Sequence, residues 1–148
     1  ACAAELRAEG IHAQAVSDLA DAVRASHIVS CATTSTTALV RGEWLAPGTH
    51  LDLVGAFRRD MREADDAAVR RAHVVVDTYA GALAEAGDLT QPLAAGVIKR
   101  EHVVAELAEL LRGERGMRTH AGQVSLFKSV GTALEDLAAA SLVLSRSC

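Results

Sequence analysis

Aromatic residues are scarce in this chain: one Trp, one Tyr and two Phe among 148 residues, 3% in all. That shortage argues against an aromatic-rich β-sandwich. The hydrophobic half of the composition, dominated by Ala, Leu and Val, suits an α/β core. Cysteine is nearly absent too. Cys2, Cys31 and Cys148 are odd in number and have neither metal nor redox spacing, so they read as reduced thiols of a cytoplasmic protein. The six histidines, His12, His27, His50, His73, His102 and His120, are scattered without the spacing of zinc ligands, and no metal is expected. No apolar run reaches membrane-spanning length and no signal peptide stands at residue 1, so no membrane partner is expected. The net charge is −4 with acids and bases interspersed. No basic stripe tracks a phosphate backbone, which argues against nucleic acid as a partner.

The length suffices for one domain burying roughly two-thirds of its unfolded surface. Its organising stretch is residues 49–63, THLDLVGAFRRDMRE. A turn signal at Ala46-Pro47-Gly48 leads into a short apolar strand with Leu51, Leu53 and Val54. The strand breaks at Gly55-Ala56 and gives way to a charged turn, Phe57-Arg58-Arg59-Asp60. A buried strand, a break at small residues and a polar turn form the pattern of a parallel-sheet strand ending at a ligand crevice. Small residues there let a flat ligand approach the backbone.

Further elements follow from periodicity. The opening residues, ACAAELRAEG, read as the tail of a helix stopped at Gly10, as if the chain began in the middle of a fold. Residues 11–16 alternate like a strand, and Ser17 is placed to cap a helix over 18–25. Residues 27–32, HIVSCA, read as a buried strand running into five consecutive hydroxyl residues, 33–37. At the carboxyl edge of an open parallel sheet such hydroxyls can meet ribose or phosphate oxygens; they can equally cap their own loop. Asp65 and Asp66 open a helix ending near Ala72, residues 73–77 form a strand, and 80–86 form a short helix stopped by Gly87-Asp88. Val103, Val104, Leu107, Leu110 and Leu111 recur at helical spacing. A last helix beginning near Ser129-Val130-Gly131 is expected to bury Leu134, Leu137, Ala138 and Leu142. Strands alternating with helices predict a parallel sheet, with strands near Ile11, Ile28, Leu51 and Val74.

Several segments carry a resemblance. Residues 28–37, GEWLAPGTH at 42–50, VGAFRRDMRE at 54–63, Val75-Val76-Asp77, Glu85-Ala86-Gly87-Asp88 and Glu106-Leu107 are among them. LFKSVG at 126–131 and EDLAAA at 135–140 complete the set. In this order the chain resembles the ornithine cyclodeaminase/mu-crystallin family along nearly its whole length. The resemblance implies an α/β, Rossmann-like parallel sheet with flanking helices, incomplete at its amino-terminal side. Residues 1–125 would be the carboxy-terminal part of a dinucleotide-binding domain. Residues 126–148 would be a C-terminal helix packing back toward an amino-terminal domain. No GxGxxG occurs in the chain, and the family's glycine-rich loop would lie upstream of residue 1. The family's homodimer contacts and most of its substrate-binding cations would lie upstream as well.

The resemblance further implies NAD or NADP as cofactor and a small amino acid or imine as substrate. Thr33, with Thr34 as the alternative, matches a cofactor-contacting Thr. Val54, Gly55 and Ala56 would line the nicotinamide side. Ser129 would meet the nicotinamide amide, where a helix start offers free N–H donors, and it can also serve as a plain N-cap. Val130 would touch substrate. At Phe57 the cyclodeaminases proper carry an Asp that handles the proton, and a phenyl ring cannot do so. That departure favours reduction of a ketimine or a cyclic imine, such as a pyrroline carboxylate, and leaves no catalytic residue assigned in this chain. The alternatives are cyclodeamination, with Asp60 supplying a carboxylate, and a non-catalytic cofactor- or ligand-binding protein. Lys128 stays unassigned, and the Arg58-Arg59 pair reads as a solvated turn.

Overall fold

The computed structural model describes residues 2–116 and 118–146. Its centre is one sheet of five parallel strands: β1 (Ile28–Cys31), β2 (His50–Leu53), β3 (His73–Val76), β4 (Val103–Glu106) and β5 (Ser125–Lys128). The strand order is β1-β2-β5-β3-β4. Around the sheet lie α1 (Cys2–Ala8), α2 (Leu19–Arg24), α3 (Asp66–Arg71), α4 (Tyr79–Glu85), α5 (Gly87–Ala94), α6 (Leu107–Leu111) and α7 (Ala133–Arg146). Cys31 stands opposite Leu53, and Lys128 stands opposite both Leu53 and Val76. The carboxyl ends of β1, β2, β5 and β3 therefore meet along one edge.

The interior strands are covered on both faces, as parallel strands must be. Leu51, Leu53, Val74, Val75, Val76 and Leu126 are each 0% exposed. Burial of a side chain of this size stabilises the fold by about 1.5–3 kcal/mol. The link from β1 to β2 contains a 3-10 turn, Gly42–Trp44. This turn sits against α3. The Asp65 carboxylate caps that helix through Ala68 N at 2.8 Å and also takes Gly42 N at 2.9 Å. A Cβ on Gly42 would run into the backbone of Ala67 and Ala68, so only glycine lets the two elements approach.

Four sequence expectations need correction and a fifth needs an addition. Residues 11–16 form no strand, and Ile11 and Val16 are exposed. Residues 11–16 join no ladder, so the outer side of β1 stays a sheet edge, and alternation without ladder hydrogen bonds does not make a strand. Asp18, not Ser17, caps α2, accepting Asp21 N at 2.9 Å. The apparent helix from Val103 splits in two. Val103–Glu106 is β4, alternating between buried and half-buried, and only Leu107–Leu111 is helical. Glu106 and Glu109 form a capping box at the junction. The short helix does stop before Gly87-Asp88, at Glu85, but those two residues also open a second helix, α5, that the sequence did not suggest. The last helix begins at Ala133, and Leu134, Leu137, Ala138 and Leu142 are all exposed.

β5 was not foreseen at all. Ser125 and Lys128 bracket two apolar residues and disguise the sheet's middle strand as a polar loop. Residues 126–128 thus belong to the sheet, while α7 is a separate element. Cys2 and Cys31 are free thiols, and Cys148 lies outside the described residues.

Candidate functional site

Three neighbouring strands end together, and the residues that follow them form the candidate site. Thr33 follows β1, Val54 to Phe57 follow β2, and Ser129 and Val130 follow β5. Hydrogen bonds stitch these ends to one another. Val54 N and Gly55 N both donate to Cys31 O, at 2.8 and 3.3 Å, and Ala56 N donates to Thr33 O at 3.3 Å. Ser129 N donates to Leu53 O at 3.1 Å. All seven residues singled out for cofactor or substrate contact therefore lie along the same carboxyl edge.

Their environments differ. Gly55 and Ala56 are buried, whereas Val54 and Phe57 are 47% and 45% exposed. Two exposed apolar side chains flanking a buried small pair offer the surface a flat, partly apolar ring requires. A Cβ on Gly55 would fall on the Glu63 carboxylate and on the Thr33 backbone, with Thr33 N at 2.5 Å, so this chain crossing tolerates only glycine. Ala56 has φ 47°, the one left-handed non-glycine among the described residues. Its conformation is held from both sides, because Ala56 O also accepts Gly87 N at 3.1 Å.

The hydroxyl run largely caps itself. Thr33 Oγ1 accepts Ser35 N at 3.2 Å, and Ser35 Oγ donates to Thr37 O at 2.7 Å and accepts Thr37 N at 3.2 Å. Thr33 is half-buried and Thr34 is exposed.

Ser129 is placed differently from the expectation. It lies ahead of α7, which starts at Ala133. Asp77, 4% exposed, collects the local donors: Oδ2 accepts Ser129 Oγ at 3.1 Å, Val130 N at 2.8 Å and Gly131 N at 2.9 Å. Its Oδ1 accepts Thr78 N at 2.7 Å. The amides that a helix start would leave for a ligand are thus committed to a protein carboxylate. Val130 lies over α4, where a Cβ on Gly81 would come within 3.0 Å of Val130 Cγ2.

The nearby ionisable groups are engaged in structure. Arg58 pairs with Asp60 through bonds of 3.1 and 2.9 Å, and its guanidinium holds the exposed Asp60 carboxyl below its ordinary value. Asp60 is therefore a surface ion pair. Arg59 Nε donates to Ala84 O at 2.7 Å. Cys31 lies beneath the edge; its thiol is pushed up to about 11 by burial first, then by the carboxylates of Glu63, Asp88 and Asp52. It is accordingly a poor nucleophile at neutral pH. No group of three or more His, Cys, Asp or Glu among the described residues is placed to hold a metal ion. The edge offers contact surface and backbone shape, and the ionisable groups described beside it, Arg58, Arg59 and Asp60, are tied into hydrogen bonds.

The sequence assigned no site role to four charged groups that shape the edge: Asp77, Glu63, Asp88 and Lys128, all buried. An available signal was their setting. Asp77 ends an apolar strand, and Lys128 directly follows Leu126-Phe127.

The structure has close counterparts. A Thermococcus litoralis delta(1)-pyrroline-2-carboxylate reductase, solved in complex with NADH and L-proline, superposes with a TM-score of 0.90 at 40% identity. The match covers 95% of this chain and 44% of that one. The Paracoccus denitrificans delta(1)-pyrroline-2-carboxylate reductase is 43% identical over 137 residues, 91% of this chain and 43% of the relative. Protein SAR DEFICIENT 4 of Arabidopsis thaliana is 49% identical over 116 residues, 78% of this chain and 35% of the relative. The chain thus spans well under half the length of these relatives. No helix among the described residues is long and apolar enough to cross a membrane. The profile of the ornithine cyclodeaminase/mu-crystallin family matches residues 1–147, and the chain belongs to that family.

Proposed function

We propose that the protein carrying this chain is an NAD(P)-dependent oxidoreductase that reduces a ketimine or cyclic imine, with a pyrroline carboxylate as the leading substrate class. The observation that carries this reading is Phe57. It stands 45% exposed at the carboxyl edge, directly after the buried Gly55-Ala56 pair, and it cannot take a proton from an amino acid. Relatives with matching sequence are named pyrroline-2-carboxylate reductases, which fits reduction better than deamination with cyclisation. When bound, the nicotinamide supplies a hydride. Thr33, Val54, Gly55, Ala56 and Ser129 are the residues of this chain we assign to the cofactor, with Phe57 and Val130 toward the substrate.

Residues 1–125 then serve as the carboxy-terminal part of the dinucleotide domain. The 126–148 segment contains α7, whose apolar face packs on an amino-terminal domain of a cytoplasmic homodimer. The exposed Leu134 and Leu137 support that arrangement.

Oxidation of NADH and NADPH with pyrroline-2-carboxylate, set against ammonia release from ornithine, tests the reading in the protein at the length of its relatives. Imine reduction should dominate. Phe57→Asp should lower it at least tenfold while raising ornithine deamination. Rapid ammonia release from ornithine by the wild type would overturn the proposal. The 148-residue chain by itself has no glycine-rich loop for a pyrophosphate. It should bind NADH more weakly than micromolar in calorimetry and turn over no imine.

A further inference from the structure

Three charged side chains lie beneath the candidate edge, outside every role assigned so far. Lys128, Asp88 and Glu63 are each 0% exposed. The Lys128 ammonium donates to Gly55 O and stands 3.4 Å from Asp88 Oδ2. Asp88 Oδ1 accepts Glu63 N at 2.8 Å and Ala64 N at 2.9 Å. Glu63 Oε1 in turn accepts Thr33 N at 2.5 Å. A continuous path thus runs from Thr33 through Glu63, Asp88 and Lys128 to Gly55. It joins the ends of β1, β2 and β5, the three strands that carry the candidate cofactor contacts.

Stability alone does not explain such a group. A buried ion pair often contributes no more than well-packed apolar residues of the same volume, and a methionine would fill much of the lysine's slot. What the ammonium adds is direction: it fixes one carbonyl, Gly55 O, immediately before the left-handed Ala56. We propose that Lys128 is a positioning residue that, together with Asp88 and Glu63, presets the backbone of residues 55–57 against Thr33, and so sets the distance between nicotinamide and imine. The proposal rests on the reductase reading above. Misplacement of about 1 Å at a reacting centre can cost on the order of a hundredfold in rate, so the effect belongs in turnover more than in affinity.

Lys128→Met in the protein at the length of its relatives tests this, with pyrroline-2-carboxylate as substrate. Expected are a kcat at least tenfold lower, with the NADH Kd and the imine KM within about threefold of wild type. The isotope effect with NADH deuterated at the transferred position should also rise, because hydride transfer becomes slower than product release. A folded variant with unchanged kcat and isotope effect, even one with a lowered melting temperature, overturns the proposal.

If that variant does not fold, Lys128→Met with Asp88→Asn removes both charges together, and the same measurements apply. The wild type answers independently through amide hydrogen exchange. The amides of Gly55 and Ala56, which donate to Cys31 O and Thr33 O, should be protected as well as β2 before any cofactor is added. Loop-like exchange that slows only on adding NADH overturns the proposal. A wild type that reduces no imine defeats the functional reading instead, and the exchange result then decides the positioning role.

Discussion

β5 and α7 are separated by four residues, 129–132, yet they have opposite fates. Lys128, a charged residue, is 0% exposed, while Leu134 and Leu137 are 74% and 63% exposed. Residue type would predict the reverse. The difference lies in what surrounds each element. β5 has β2 on one side and β3 on the other, and the Lys128 ammonium finds the Gly55 carbonyl and the Asp88 carboxylate. α7 has no buried residue. Burial here follows the supply of neighbours and hydrogen-bond partners, and hydrophobicity matters only once a neighbour exists.

The largest expected effect comes from breaking the crowded side of this contrast. Gly55→Ala places a methyl on the Thr33 backbone and the Glu63 carboxylate. It should cost more than about 4 kcal/mol, the range reached when buried backbone must move. Urea unfolding followed by circular dichroism would show this as a lost or strongly shifted transition, and a shift within 1 kcal/mol of wild type would mean the loop can yield.

A paired experiment sharpens the contrast. Leu126→Ala should cost about 2–5 kcal/mol, as emptied core sites do. Leu137→Ala in the 148-residue chain should stay within about 0.5 kcal/mol, as exposed substitutions do. Repeated in the protein at the length of its relatives, Leu137→Ala should move toward the core value if α7 packs there as proposed. Equal, small effects in both settings would argue against that packing.

The smallest effect belongs to the opposite edge of the sheet. His50 begins β2, and its Nδ1 lies 2.8 Å from Ser125 Oγ. Arg118 Nε donates to the same oxygen at 3.0 Å, which leaves the hydroxyl proton for His50. Burial lowers the His50 pKa from 6.5, and the Arg118 charge adds to the lowering against an opposing pull from Asp52. The folded state therefore binds this proton less readily than the unfolded one. The His50 contribution to stability is complete above pH 6.5 and is lost as the pH falls toward and through the depressed folded-state value. Urea midpoints between about pH 7.5 and 5 should decline for the wild type and decline less for His50→Asn. Identical slopes would remove His50 as the cause.

The parts of the fold legible in the sequence were those in which local pattern and tertiary role agree. β2 was readable because Leu51 and Leu53 are flanked by turn residues, and β3 because Val74, Val75 and Val76 form a plain apolar run. α3 announced itself through Asp65 and Asp66 at its start. Strands β1, β2 and β3 were placed, and with them the edge on which Thr33, Gly55 and Ala56 lie. Residues 11–16 had the right alternation and no partner, and β5 had the right partners and an unpromising pattern.

What the sequence determined by itself was the class of fold, a parallel α/β sheet, and the family, because GEWLAPGTH, FRRDMRE and LFKSVG are local strings that survive without any knowledge of contacts. Tertiary structure alone decided how the charges are used. Asp77 takes the amides that a helix start would have offered to a ligand, and Lys128 becomes a core residue because Gly55 and Asp88, 73 and 40 positions away, supply its partners. Hydrogen bonds and ion pairs act over a few ångströms of space, whatever the separation along the chain, so no window of sequence contains them.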